Sequence, residues 1–88
     1  MTLLTSAEIK TRIAAFIAES FVSGRGGGAP ADDDSLTSVG VLDSVGVLSL
    51  ITFLEEAFGI TIADEEVVPD NLDSIARLDA FVRRKTAA

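Results

Sequence analysis

The chain has 88 residues, of which 48% are hydrophobic and 24% are charged, with a formal net charge of -7, and these values predict one small soluble domain over residues 1–88. It has no cysteine and no histidine, which excludes Cys/His zinc sites, thiol catalysis and every triad with a histidine base. The sequence has neither the basic and apolar regions of a signal peptide nor a run long enough to span a membrane, so we expect a cytoplasmic protein.

The first predicted element is a helix over about residues 6–22. Thr5 and Glu8 have the spacing of a capping box, in which the two residues hydrogen-bond each other's backbone N–H groups. Apolar residues then recur at helical spacing, which predicts a helix with one buried face: Ile9, Ile13, Phe16, Ile17 and Phe21.

A glycine-rich connection over residues 23–34 follows, and we expect it to be flexible because it holds three consecutive glycines and Pro30. A phosphate-binding loop is disfavoured, since no Lys-Ser or Lys-Thr pair follows the glycines and no strand precedes them. The acidic triplet at residues 32–34 lacks the alternating ligands of an EF-hand calcium loop. We therefore expect a solvated loop and no metal site.

The second predicted helix runs from about Ser44 to Phe58, and Gly59 is a typical residue to follow a helix end. Its apolar residues at i, i+3, i+4, i+7 and i+11 predict a stripe that faces the core: Val47, Leu50, Ile51, Leu54 and Phe58. Leu48 and Phe53 widen this stripe, so we expect this helix to be central in the fold. The other side is predicted to be an exposed strip of mixed polarity, formed by Val45, Ser49, Thr52, Glu55 and Glu56.

Residues 60–62 after the second helix are predicted to form an extended connector. An acidic helical turn over residues 64–68 should end at Pro69, and the last helix should run from about Ser74 to Lys85, with the residues beyond it frayed. Three main helices and one short helix predict an all-α protein, a small four-helix bundle.

The middle of the chain is acidic, because no basic residue lies between Arg25 and Arg77. Such a surface repels nucleic acid and anionic membranes, and it suits partners that present a basic patch. A solvated face that only maintains solubility is the alternative explanation of the same charges.

The chain has no histidine to act as a base for a nucleophile, so we predict that the protein is not an enzyme. Ser44 remains as a candidate for covalent modification. Ser44 and Asp43 compete for the N-cap position of the second helix. If Asp43 is the cap, the Ser44 hydroxyl is free at the positive end of the helix dipole, where an attached phosphate is favoured. A purely structural capping role for Ser44 is the alternative.

Four segments, in their order and spacing, resemble an acyl carrier protein: residues 41–45, 53–60, 64–66 and 69–75. The resemblance covers nearly the whole chain and implies a right-handed four-helix bundle with a long first loop. It also implies that a phosphopantetheinyl transferase attaches 4′-phosphopantetheine from coenzyme A to Ser44, with Asp43 as the flanking helix cap. The thiol of this group would hold an acyl or aminoacyl group as a thioester, so the chain itself needs no cysteine.

The resemblance further implies that partners dock on the second helix and the short third helix, through Asp43, Val45, Thr52, Glu55, Glu56, Asp64 and Glu65. Those partners would be an adenylating acyl or aminoacyl ligase and acyl- or aminoacyl-transferring enzymes with basic patches, and the carrier would be a monomer. Gly46 and Ser49 stand where fatty-acid carriers commonly have acidic residues. This departure favours a stand-alone carrier of specialised, natural-product metabolism. The alternatives are a housekeeping carrier of fatty-acid synthesis and a carrier-like interaction module that is never modified.

Overall fold

The computed structural model describes residues 5–20, 31–38 and 44–87, with the backbone alone at 44 and 87. Its α-helices are α1 (Ser6–Ser20), α2 (Ser44–Phe58), α3 (Pro69–Leu72) and α4 (Ile75–Ala87), and a 3₁₀ turn spans Asp64–Glu66. The described segments contain no strand. The predicted all-α helical bundle is confirmed.

The core lies around α4, which contacts each of the other three helices and packs most extensively against α1. The sequence-based expectation gave that central place to α2. Leu50 and Leu54 on α2 are fully buried, but Leu48 is 65% exposed, so its assignment to the core was wrong. The buried apolar side chains that join the elements are Ile9, Ile13, Ile17, Leu36, Leu50, Leu54, Leu72, Ile75, Leu78, Phe81 and Val82.

Reciprocal hydrogen bonds fix the start of α1, as the capping box predicts. The backbone N–H of Glu8 donates to Oγ1 of Thr5 at 3.1 Å, and that of Thr5 donates to Oε1 of Glu8 at 3.2 Å. These bonds satisfy two N–H groups that a helix start leaves without a partner inside the helix. The structure describes α1 as far as Ser20, and the last two residues of the predicted helix lie outside the described residues.

Two short elements stand where the sequence predicts one. The acidic 3₁₀ turn ends at Glu66, and Pro69 begins α3 instead of terminating the preceding turn. The fixed φ of proline suits the first position of a helix, where its missing N–H costs nothing. Helix α4 then begins at Ile75, one residue later than predicted, with the Ser74 hydroxyl accepting from the Arg77 N–H at 3.1 Å, and it continues to Ala87.

The described part of the first loop, residues 31–38, is fastened to the helices rather than simply solvated. The Lys10 ammonium donates to Asp32 Oδ2 at 2.9 Å, and the Ala76 N–H donates to the Asp32 carbonyl at 3.0 Å. Leu36 is fully buried. Residues 23–30 of the predicted flexible loop lie outside the described residues.

Candidate functional site

Ser44 is the first residue of α2, a helix of 15 residues. The first turn of α2 contains no acidic residue. The positive end of its dipole is therefore not offset by a carboxylate within the helix, and this favours a bound phosphate there. Asp43, the predicted cap, lies outside the described residues.

One face of α2 points away from the core and carries apolar groups. Val45 and Leu48 are 73% and 65% exposed. Leu48, Thr52 and Glu56 follow one another at intervals of four residues, so they share a face, and Thr52 and Glu56 are exposed as well. Three of the predicted docking residues, Val45, Thr52 and Glu56, are thus brought together, and Leu48 joins them. We call Val45, Leu48, Thr52 and Glu56 the open face of α2.

Glu55, a fourth predicted docking residue, has an intramolecular role. Its Oε2 accepts a hydrogen bond from the Ile62 N–H at 2.9 Å, which ties the connector after Gly59 to α2. This role could not be predicted from the sequence, because Glu55 and Glu56 are adjacent and chemically identical.

The 3₁₀ turn presents two exposed carboxylates, those of Asp64 and Glu65, both predicted docking residues. The third, Glu66, accepts from the Lys85 ammonium at 2.8 Å and from the Ala63 N–H at 2.9 Å. The hydrogen bond from Lys85, followed by that from Ala63, lowers the pKa of Glu66. The turn is thereby fastened to α4, and Asp64 and Glu65 face solvent.

The basic residues of α4 bond mainly to neighbouring acidic and polar groups. Arg83 pairs with the buried Asp79, whose Oδ2 also accepts from the Ser6 hydroxyl at 2.7 Å. Arg84 donates to Asn71 Oδ1 at 2.8 Å. Together with the bond from Lys85 to Glu66, these contacts hold α1, α3 and the 3₁₀ turn against α4.

A shallow depression of about 370 Å³ lies between α1 and α2, and we call it the α1–α2 groove. The rings of Phe16 and Phe53 stack in it with centroids 4.2 Å apart and planes 7° apart. The ring of Phe58 meets Phe53 edge-on at 6.0 Å. The groove is lined by Phe16, Leu48, Ser49, Thr52, Phe53 and Glu56. The sequence did not predict that Phe16 of α1 would meet Phe53 here, although each of the two stands beside a fully buried residue of its helix.

Among the residues that the structure describes, no group of three or more acidic side chains is arranged to hold a metal ion. No helix in the described ranges is long and apolar enough to cross a bilayer.

Two comparisons with known proteins bear on this arrangement. Residues 22–82 match the family described as "Phosphopantetheine attachment site", a span that includes α2, α3 and most of α4. The chain belongs to this family. It is also 36% identical over 56 residues to a D-alanyl carrier protein from Abiotrophia defectiva, a match that covers 64% of this chain and 71% of that relative.

The protein is therefore a carrier of the acyl carrier family, whose prosthetic group is covalently attached 4′-phosphopantetheine. The start of α2 fits such a group, because a long helix begins there with no carboxylate in its first turn and with exposed Val45 next in the chain. When bound, the group supplies the thiol that a chain without cysteine lacks.

Proposed function

We propose that the protein carries an acyl or aminoacyl group as a thioester on a 4′-phosphopantetheine arm attached to the hydroxyl of Ser44, and delivers it to partner enzymes. The observation that carries this proposal is the position of Ser44, which opens α2 within the family match. The similarity to a D-alanyl carrier protein supports an aminoacyl cargo. Gly46 and Ser49, which add no charge to α2, support a dedicated pathway other than housekeeping fatty-acid synthesis.

The chain's own contribution in this proposal is to position the attachment point. The buried side chains of Leu50 and Leu54 anchor α2 to the core, which holds the start of the helix in position relative to the other helices. Its N-terminal N–H groups and dipole favour the phosphate. Chemical steps belong to the partners, namely a phosphopantetheinyl transferase, an adenylating acyl or aminoacyl ligase, and the acceptor enzymes. The carrier itself acts as a cytoplasmic monomer.

Partner enzymes dock, in this proposal, on the open face of α2 together with Asp64 and Glu65. The surface combines exposed apolar Val45 and Leu48 with the exposed carboxylates of Glu56, Asp64 and Glu65. A partner with an apolar contact rimmed by Lys or Arg complements it. Glu55 is excluded from this surface because its carboxylate bonds to the Ile62 N–H.

The modification is tested by incubating the apo protein with coenzyme A and a promiscuous phosphopantetheinyl transferase and then recording the intact mass. We expect a gain of one phosphopantetheine in the wild type and none in Ser44→Ala. Ser49→Ala is the matched control, because Ser49 is an exposed serine on the same helix, and it should be modified like the wild type. No gain, or a gain that persists in Ser44→Ala, contradicts the proposal and favours an unmodified interaction module.

A further inference from the structure

The α1–α2 groove has the chemistry of a small binding site, and carrying an arm on Ser44 does not by itself require it. Its floor is the stacked pair of Phe16 and Phe53, and Leu48 forms an apolar wall. The polar groups along it are the hydroxyls of Ser49 and Thr52 and the carboxylate of Glu56. The Thr52 hydroxyl donates to the Leu48 carbonyl at 3.0 Å, so the carboxylate is the group in the groove that can attract a cation.

The groove is within reach of an arm on Ser44. Leu48 and Glu56 follow Ser44 by four and twelve residues, which places them roughly 6 and 18 Å along the helix axis at a rise of about 1.5 Å per residue. Phosphopantetheine has about fifteen chain atoms, as many as five peptide residues, and extends to roughly 17 Å. The thiol of a fully extended arm therefore passes Leu48 and ends just short of the level of Glu56, and an aminoacyl group on the thiol covers the remaining distance.

The charge at the far end of the groove favours a cationic occupant. Glu56 is exposed and forms no ion pair within the described residues. No basic residue occurs anywhere on α2, or between Arg25 and Arg77 in the sequence. Glu56 and Phe53 line the same groove, and an aromatic ring attracts cations through a face that is not covered.

We propose that this groove is the resting site of a small aminoacyl cargo, with the cationic α-amine of the cargo paired to Glu56 and its side chain against Phe53. The inference rests on the proposed function, since the cargo arrives on the Ser44 arm. An acyl group of the same shape without the amine makes the apolar contact but not the ion pair. Aminoacyl groups are therefore held more often than neutral acyl groups of equal size.

The test compares two cargoes that differ only in the amine. The ¹⁵N-labelled apo protein is loaded with alanyl- or propionyl-phosphopantetheine from the corresponding coenzyme A thioesters, and the intact mass verifies loading, with Ser44→Ala as the unloaded control. Amide chemical shifts are then compared with those of the protein bearing the free arm. We expect shift changes at Ser49, Thr52 and Glu56 that are about two- to fourfold larger for alanyl than for propionyl. The shift changes scale with the fraction of molecules whose cargo lies in the groove, and an exposed ion pair raises that fraction by about this factor.

Two variants separate the ion pair from general effects of the charge. Glu56→Gln should reduce the alanyl-dependent shifts to the propionyl level. Asp33→Asn removes an exposed carboxylate from the first loop and should leave them unchanged. A nuclear Overhauser contact between the Phe53 ring and the alanyl methyl should accompany the shifts in the wild type.

The outcomes distinguish the inference from the function on which it rests. Failure of loading at Ser44 overturns the proposed function, and the inference with it. Loaded protein that shows equal shifts for the two cargoes, or shifts unaffected by Glu56→Gln, overturns the inference alone.

Discussion

Asp73, at the junction of α3 and α4, holds Thr37 by two hydrogen bonds across a separation of 36 residues. Its Oδ1 accepts from the backbone N–H of Thr37 at 2.9 Å and from the Thr37 hydroxyl at 2.8 Å. Its Oδ2 accepts from the Ser35 hydroxyl at 2.8 Å, and its carbonyl accepts from the Leu36 N–H at 2.8 Å. One residue thus fastens the end of the first loop over the core and keeps Leu36 buried.

Asp73 should give the fold a component of stability that acid removes. The bonds from Thr37, N–H first and hydroxyl second, lower the pKa of Asp73 from its usual 3.8, and the Ser35 hydroxyl adds to the effect. Because the folded pKa lies below the unfolded one, this stability is fully present above about pH 3.8 and is lost as pH falls through the folded pKa.

We expect Asp73→Ala to lower the free energy of unfolding by about 1–2 kcal/mol near neutral pH, since it leaves the donors of Thr37 and Ser35 without their acceptor. The difference from the wild type should shrink as pH falls below 3.8. Urea unfolding over a pH series measures it, and Asp33→Ala, an exposed acidic residue of the same loop, is the control. A difference that stays constant in acid contradicts the role given to Asp73.

Glu55 and Glu56 should separate stability from partner binding, although they are neighbours in sequence. Glu55→Ala removes the acceptor of the Ile62 N–H and should destabilise the fold by about 1 kcal/mol. Glu56→Ala removes an exposed carboxylate and should change stability by less than about 0.5 kcal/mol, while it slows modification by a transferase with a basic patch. Thermal unfolding measures the loss of stability, and the rate of mass gain measures the modification. If Glu55→Ala slowed the modification and Glu56→Ala destabilised the fold, the proposed docking surface would be wrong.

The stacked rings of Phe16 and Phe53 should stabilise the contact of α1 with α2 as a pair. A double-mutant cycle with Phe16→Leu and Phe53→Leu should give a coupling energy of about 0.5–1.5 kcal/mol. The pair of Phe16→Leu and Phe58→Leu is the control and should couple more weakly, because the Phe58 ring meets Phe53. Additive effects in the first cycle would mean that the two rings contribute only by burying area.

Gly59 ends α2 in a left-handed conformation with φ of +66°. A Cβ at this position would meet nothing within 4 Å, so the cost of a side chain comes from the backbone conformation alone. We expect Gly59→Ala to destabilise the protein by about 1–2 kcal/mol and Gly59→Asn by less, because asparagine tolerates this conformation. Equal melting temperatures for the wild type and both variants would show that the helix end relaxes freely.

Local patterns in the sequence predicted the parts of the fold that depend on local interactions. The capping box at Thr5 and Glu8, the bounds of α2 and the role of Gly59 follow from residue types and spacing, and the structure confirms them. Leu48 was misassigned because it lies next to the core stripe on a helix with many apolar residues, and only the position of the other helices shows which side is covered.

Contacts between distant residues could not be predicted in the same way. Asp73 directly precedes the predicted start of the last helix, but its bonds to Thr37 depend on how the loop returns to α3, which no local pattern shows. The groove at Phe16 and Phe53 likewise depends on the approach of α1 to α2. The attachment residue, in contrast, is proposed from a local motif around Ser44 and from the family match. The position of Ser44 at the start of α2 supports this proposal.

The most direct test of the central proposal is mass spectrometry of the protein isolated from the cells that naturally make it, with proteolysis to map the modified residue. We expect one phosphopantetheine per chain, on the peptide that contains Ser44 and at that serine. Unmodified Ser44 throughout the isolated protein, or the same group on Ser49 or another residue, would contradict it.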